Sequence, residues 1–266
     1  MANNRVFRLV RDHDARGNAD PRCTYLRDQH RNAVIYTNNE YGDKTYRRNF
    51  LRAAVENGFE LWGGAHRVTM NDCGACRACV QVRIPVRDFP VPEGRLRVMQ
   101  RHAAIRVTYN DTLTGDDQFG LYEVYQKSRF PLEVRLSRSE FKARMQEWQK
   151  MQVLQGPAGL AGVLYYEDCG SALIVGNNYY DRAPQAKQSY GTFAILSLVQ
   201  MARARGDVDY IYLGPWAKGS GGLGYKGKFY PLDGYGGENW VLLDPVKDHA
   251  TPPPDMGNII RIALTP

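Results

Sequence analysis

No stretch of this chain is apolar for long enough to cross a membrane: nothing approaches the roughly 18 residues a helical span requires. The opening residues, MANNRVFRLVRDHDARG, lack the apolar centre of a secretory leader, so a cytoplasmic protein with no membrane partner is expected. Also missing is any Ser-His-Asp or Cys-His arrangement, so nothing signals a covalent acyl-enzyme. A third absence concerns GLGYKGKF, Gly222 to Phe229. It reads as a glycine, four residues and Gly227-Lys228, but Phe229 stands where a phosphate-cradling P-loop needs Ser or Thr. A P-loop also follows its strand directly and opens a helix. Here seven residues separate Gly214 from Gly222, and Pro231 with three further glycines forbids a helix after Lys228. An ATP or GTP site is excluded on these grounds.

What is present suits a folded chain. The 266 residues allow one large or two small domains, with 43% hydrophobic and 24% charged residues. The formal net charge is +7, and basic residues recur in NRVFRLVR, YRRNF, RLRVMQRH and KGSGGLGYKGK. Each cluster alone reads as a solvated face. Together they favour a polyanionic partner, nucleic acid first. There are five cysteines. Cys73, Cys76 and Cys79 follow one another at intervals of three, while Cys23 and Cys169 stand apart. In a reducing compartment such spacing suggests a metal before a disulfide. Zinc prefers two pairs from separate knuckles, and successive intervals of three are closer to iron–sulfur ligation. Zinc, an iron–sulfur cluster and no metal at all stay open, with His66 as a spare ligand.

The pattern of elements is α+β. Residues 43–57 read as a helix that Asp43 can cap and Gly58 stops. VQVRIPVRDFPVP alternates like a strand, and a turn signal at Pro90 to Gly94 marks a lobe boundary. AIRVTY (104–109) reads as a strand and Asp116 to Arg129 as a helix. Ser137-x-x-Glu140 is a capping box before another helix. GLAGVLYY and SALIVGNNYY read as adjacent antiparallel strands, Thr192 to Arg205 as an amphipathic helix, and DYIYLG as a buried strand. Between strand and helix lies QSYGTF, Gln188 to Phe193. A Gln-x-x-Gly-x-small junction is how GNAT acyltransferases receive the pyrophosphate of acyl-CoA, on the free N–H groups of a helix start. Phe193 replaces the small residue, and a plain helix start reads equally well.

Several of these segments, in order, resemble one family. YGTF with its helix, Tyr210-Ile211-Tyr212-Leu213-Gly214, and Tyr225-Lys226-Gly227-Lys228-Phe229-Tyr230-Pro231 are similar to the C-terminal core of the aminoacyl-tRNA–protein transferases. These are the arginyl- and bacterial leucyl-transferases of the N-degron pathway. Upstream, RCTYL with Cys23, NGFELWGGAHRV and CGACRACVQVRIPVRDF resemble the family's cysteine region, so the similarity spans roughly residues 20 to 240. The resemblance implies a mixed α/β sheet with a GNAT-like core at 96–266 and a smaller cysteine-containing lobe at 1–95. It implies an aminoacyltransferase that joins the amino acid carried by tRNA to a free amine, on a peptide or protein N-terminus. The same chemistry on a small-molecule amine, and a non-catalytic metal-containing RNA-binding module, are the alternatives.

The ester of an aminoacyl-tRNA is already activated, so no cofactor is required for chemistry. The protein must orient the partners, accept a proton and stabilise an oxyanion. The resemblance turns the near-P-loop into part of the aminoacyl-tRNA site. Lys226 would neutralise phosphate or the oxyanion, Tyr225 would stack on the terminal adenine, and Lys228 would assist binding. Gln188, Gly191 and Thr192 would receive a phosphate or the ester oxygen. Tyr179 and Tyr180 would line the channel, with Asp181 as proton acceptor or ammonium anchor and Glu167 and Asp168 as weaker options. Arg83 would hold an acidic acceptor by a bidentate pair. Cys23, Cys73, Cys76 and Cys79 would form the zinc or iron–sulfur site.

Overall fold

A computed structural model of the chain describes residues 7–11, 23, 26, 33–38, 44–61, 67–71, 76, 78–91, 93–130, 135–182 and 189–243. It divides into two compact units, Met1–Pro85 with Tyr212–Pro266, and Val86–Ile211. The boundary expected at 90–94 therefore falls at 85/86, and the chain after 212 joins the N-terminal unit instead of staying with the 96–266 lobe. The turn signal there is absorbed by a helix that begins at Glu93 and carries Gly94 in its first turn.

The first unit contains an antiparallel sheet in the order β1-β2-β4-β3, from Phe7–Arg11, Ala33–Asn38, Arg67–Asn71 and Glu60–Leu61. Helix α1 spans Lys44–Glu56 and buries Phe50, Leu51, Ala53, Ala54 and Val55. The expected helix is thus present; its proposed cap, Asp43, lies outside the described residues. Strand β5, Cys79–Pro85, sends Val82 and Ile84 into the core. It pairs antiparallel with the later strand Asp233–Tyr235.

In the second unit, α2 (Glu93–Arg101) leads into β6 (Arg106–Asp111), α3 (Asp116–Arg129) and α4 (Arg138–Met145). The capping box is realised: the Glu140 N–H donates to Ser137 Oγ at 3.3 Å, and the Ser137 N–H to Glu140 Oε2 at 2.7 Å. Then β7 (Lys150–Gly156), β8 (Gly159–Asp168) and β9 (Ala172–Tyr180) extend the antiparallel sheet in the order β6-β7-β8-β9. Alternation along β9 shows what covers each face. Tyr179 meets Tyr122 of α3 and Phe141 of α4, whereas its neighbour Asn178 reaches the Gly191 carbonyl of α5.

Helix α5, Tyr190–Arg205, starts two residues before the expected Thr192 and is buried along most of its length, from Phe193 to Val199 and again at Ala202. The expected amphipathic stripe is replaced by a core helix, because sheet and α2 enclose it. Gly206 ends it at φ +78, the left-handed conformation a C-terminal glycine supplies cheaply. β10 then runs Tyr210–Ala217 and leads back into the first unit. There a 3₁₀ helix, Gly224–Phe229, is followed by β11 (Asp233–Tyr235) and β12 (Trp240–Leu242).

Candidate active site

The first unit concentrates its chemistry around Lys226. Leu223, just before the 3₁₀ helix, and Lys226 and Phe229 within it are buried, so this lysine points inward. Its Nζ donates to the Pro215 carbonyl at 2.8 Å. Burial pulls its pKa down from the usual lysine value to about 8, opposed by the negative charges of Glu60 and Cys79. The amine therefore remains mostly protonated at neutrality but releases its proton more readily than a surface lysine.

The loop is built to hold it there. Gly214 sits at φ +74, and a Cβ on it would lie 3.6 Å from Lys226 Nζ and 3.8 Å from Glu60 Oε1. Trp216, two residues on, donates Nε1–H to the Gly224 carbonyl at 3.3 Å. Its indole lies so close that a Cβ on Gly227 would come within 2.6 Å of Nε1. Ser220 Oγ accepts the N–H groups of Gly222 and Leu223. The glycines of the near-P-loop thus admit a tryptophan and a bend, and among the described residues no α-helix follows Lys228. Lys228 is exposed, and Tyr225 is half-buried, edge-on to Phe229.

Arg83 is engaged within its own unit. Its Nε–H donates to Asp233 Oδ2 at 3.0 Å, its Nη1 to the Tyr212 hydroxyl at 3.1 Å, and its guanidinium lies 4.5 Å from the Trp240 ring. Trp240 is itself fixed by donating to the Glu56 carbonyl at 2.7 Å. This charge already has a carboxylate partner, which makes it first of all a clamp between β5 and β11.

Of the cysteines, Cys23 is buried and its Sγ accepts the Leu26 N–H at 3.4 Å. Cys76 and Cys79 are half-buried thiols. Cys73 and His66 lie outside the described residues. Among the described residues no group of three or more Cys, His, Asp or Glu could hold a metal. The thiol donors suit zinc or iron in kind, but Cys23, Cys76 and Cys79, all described, are not gathered into a metal-binding group.

The second unit holds the tyrosines and the helix start. Tyr179 is packed in the core among Tyr122, Tyr125, Phe141 and Tyr165, and burial pushes its hydroxyl well above the usual phenol range. Tyr180 is half-buried, and its ring lies over Gly191, where a Cβ would come within 2.7 Å of Cε1. Tyr125 meets Tyr180 edge-on at 5.0 Å. Ser189 precedes α5 at φ +54 and gives no side-chain cap, and the Phe193 N–H donates to the Ser189 carbonyl as the helix begins. Gly191 is buried and Thr192 half-buried; Gln188 lies outside the described residues. Asp181 anchors its own N–H on the Ala161 carbonyl at 2.9 Å. Burial first, then the Asp181 carboxylate, push the neighbouring Tyr190 hydroxyl up.

The weaker carboxylates are elsewhere. Asp168 pairs with Arg205 at 2.7 Å, and Glu167 Oε1 accepts the Gln149 N–H at 2.9 Å. Both sit at the β8–β9 turn, about 25 Å along β9 from Asp181 at roughly 3.3 Å per residue. Sequence reading missed Glu60, Trp216, Tyr125 and His102, which is buried between Tyr190 and Phe193 at 4.7 and 4.9 Å. Only Tyr125 carried a signal, three residues after Tyr122 on one helix face.

Comparison with known proteins decides the family. Residues 117–235 match the family model described as arginine-tRNA-protein transferase, C terminus. An aspartate/glutamate leucyltransferase of Stenotrophomonas maltophilia is 31% identical over 183 residues, covering 65% of this chain and 72% of that protein. The chain belongs to the aminoacyl-tRNA–protein transferase family. Another aspartate/glutamate leucyltransferase, from Cereibacter sphaeroides, is 28% identical over 188 residues, so the chain spans 66% of that relative's length. Among solved structures, L-PGS from Bacillus licheniformis is similar at TM-score 0.41 and 8% identity, over 53% of this chain and 46% of that one. A tandem GNAT protein from the clavulanic acid pathway is similar at TM-score 0.38 and 16% identity, over 63% and 53%. The expected family is the one found, and the α+β class is the one seen. Among the described residues no helix is long and apolar enough to cross a membrane.

Proposed function

We propose that this protein transfers the amino acid of an aminoacyl-tRNA to a free amine on a peptide or protein N-terminus. The attacking nitrogen bonds to the ester carbonyl carbon, the carbon–oxygen bond to the tRNA 3′ end breaks, and the ribose oxygen leaves with a proton. An N-terminal amine has a pKa near 8, so positioning and charge can supply most of the rate. The observation that carries the reading is the buried Lys226 on the Pro215 carbonyl, in the loop that matches the family's Tyr-Lys segment. Its preorganised charge suits a developing oxyanion or a terminal phosphate. In the second unit, Gly191 and Thr192 at the α5 start, with Gln188 just before it in sequence, take ester or phosphate oxygens, and Tyr180 and Asp181 orient a partner; in the first unit, Tyr225 stacks on the terminal adenine. The leucyltransferases to which the chain is similar are named for aspartate and glutamate, which favours an apolar donor and an acidic N-terminus.

The resemblance, and not the geometry of Cys23, Cys76 and Cys79, assigns Cys23, Cys73, Cys76 and Cys79 to zinc or an iron–sulfur cluster that would brace the first unit. Metal analysis of protein purified with and without oxygen separates the two. The function is tested by incubating the protein with a panel of labelled charged tRNAs, with peptides of varied N-terminus and with small amines. Label appearing on peptides supports the reading. Label on small amines alone moves the acceptor to a metabolite, and binding of tRNA without any transfer leaves an RNA-binding module.

A further inference from the structure

The outer face of α1 carries an unusual set of side chains. Lys44, Thr45, Arg48 and Asn49 are exposed, and Arg52 is 42% exposed. Lys44, Arg48 and Arg52 stand four apart, so they form one row along the helix, about 6 Å per step and about 12 Å in all. Thr45 and Asn49 run beside them as hydrogen-bonding groups. The helix has one acidic residue, Glu56 at its last position, which lies 3.8 Å from Arg52. The opposite face is wholly committed to the core through Phe50, Leu51, Ala53, Ala54 and Val55. Like charges one turn apart repel and weaken a helix, so this row costs stability that the packed face must offset.

We infer that this row is a docking surface for the sugar–phosphate backbone of the tRNA body. The inference rests on the transfer reading above and adds to it a second contact away from the 3′ end. Two features choose RNA over an acidic peptide. The row is a line of exposed cations with Thr and Asn alongside, the residue types that contact phosphates without reading bases. A single carboxylate is better held by a recessed, bidentate arginine than by a row of exposed cations. A repeating polyanion can meet all three cations at once.

The test uses the full chain with Lys44→Gln, Arg48→Gln and Arg52→Gln combined, and separately Arg48→Gln and Arg48→Glu as single changes. These residues face solvent, so circular dichroism should match the parent protein, and melting should stay the same or rise slightly as repulsion along the row is relieved. Uncharged tRNA is titrated over a range of salt. The triple variant is expected to bind at least about tenfold more weakly at low salt, with a salt slope reduced by about 2 to 3, near 0.9 per lost phosphate contact. Arg48→Glu should weaken binding further than Arg48→Gln. The single-turnover transfer rate at saturating enzyme should be unchanged, as should the KM for an acidic acceptor peptide. Unchanged tRNA affinity and slope, with transfer intact in the parent, would overturn the docking surface alone. A raised peptide KM with unchanged tRNA affinity would reassign the row to the acceptor. A parent protein that binds no tRNA would sink both the surface and the transfer reading.

Discussion

Lys226 and Tyr180 show two different ways of preparing a site. In the first unit a cation is taken out of water and held by a carbonyl, with Glu60 and Cys79 as its charge partners. Such a group is costly to bury, and it acts strongly on whatever charge develops near it because little water screens it. In the second unit the candidates are aromatic rings and backbone N–H groups around the α5 start. The Asp181 carboxylate apart, these give shape and orientation more than charge. The difference assigns the work: loss at Lys226 should appear in the chemical step, and loss around Tyr180 in binding geometry and stability.

The largest effect is expected at Lys226. Lys226→Ala should lower the transfer rate by roughly 10²–10³, the usual cost of losing one preorganised charge at an oxyanion. Initial rates of label transfer measure it. The Arg83 clamp comes next. Arg83→Ala leaves Asp233 without its part-buried partner and should cost about 1–3 kcal/mol of stability, read as a lower urea midpoint. If the clamp is only a scaffold, transfer measured below the transition should hardly change. A smaller loss is expected for Gly191→Ala. Its Cβ would meet the Tyr180 ring at 2.7 Å, so the ring must shift. Overpacking costs about 1–3 kcal/mol, while alanine gains about 1 kcal/mol over glycine inside a helix. A net loss is expected, relieved by adding Tyr180→Ala, with thermal unfolding as the measure. Lys228→Ala should do least, less than about twofold on single-turnover rate, because an exposed lysine acts through tRNA affinity alone.

How much of this was legible in the sequence depended on the range of the interaction. The Ser137 capping box and the α3 span are local and were read correctly, since propensity and caps act over a few residues. The return of residues after 212 to the N-terminal unit was not readable, because it depends on pairing between Arg83 and Asp233, far apart in sequence. The burial of α5 was misread for the same reason: its polar Ser197 looks solvent-facing until the sheet and α2 close over it. At the site, the Tyr-Lys pair was found by resemblance. That Lys226 points inward while Lys228 points out could not be read from two lysines two apart in a loop. Trp216 and the bend at Gly214 settle it, and both act through packing.

The central claim is that the buried lysine, and not its exposed neighbour, carries the transfer step. Single-turnover transfer from charged tRNA to an acidic-N-terminus peptide, at saturating enzyme, compares Lys226→Ala with Lys228→Ala directly. The account predicts a loss of roughly 10²–10³ for Lys226→Ala and less than about twofold for Lys228→Ala. Parent-like rates in Lys226→Ala, or equal losses in both variants, would contradict it and leave the loop as scaffold.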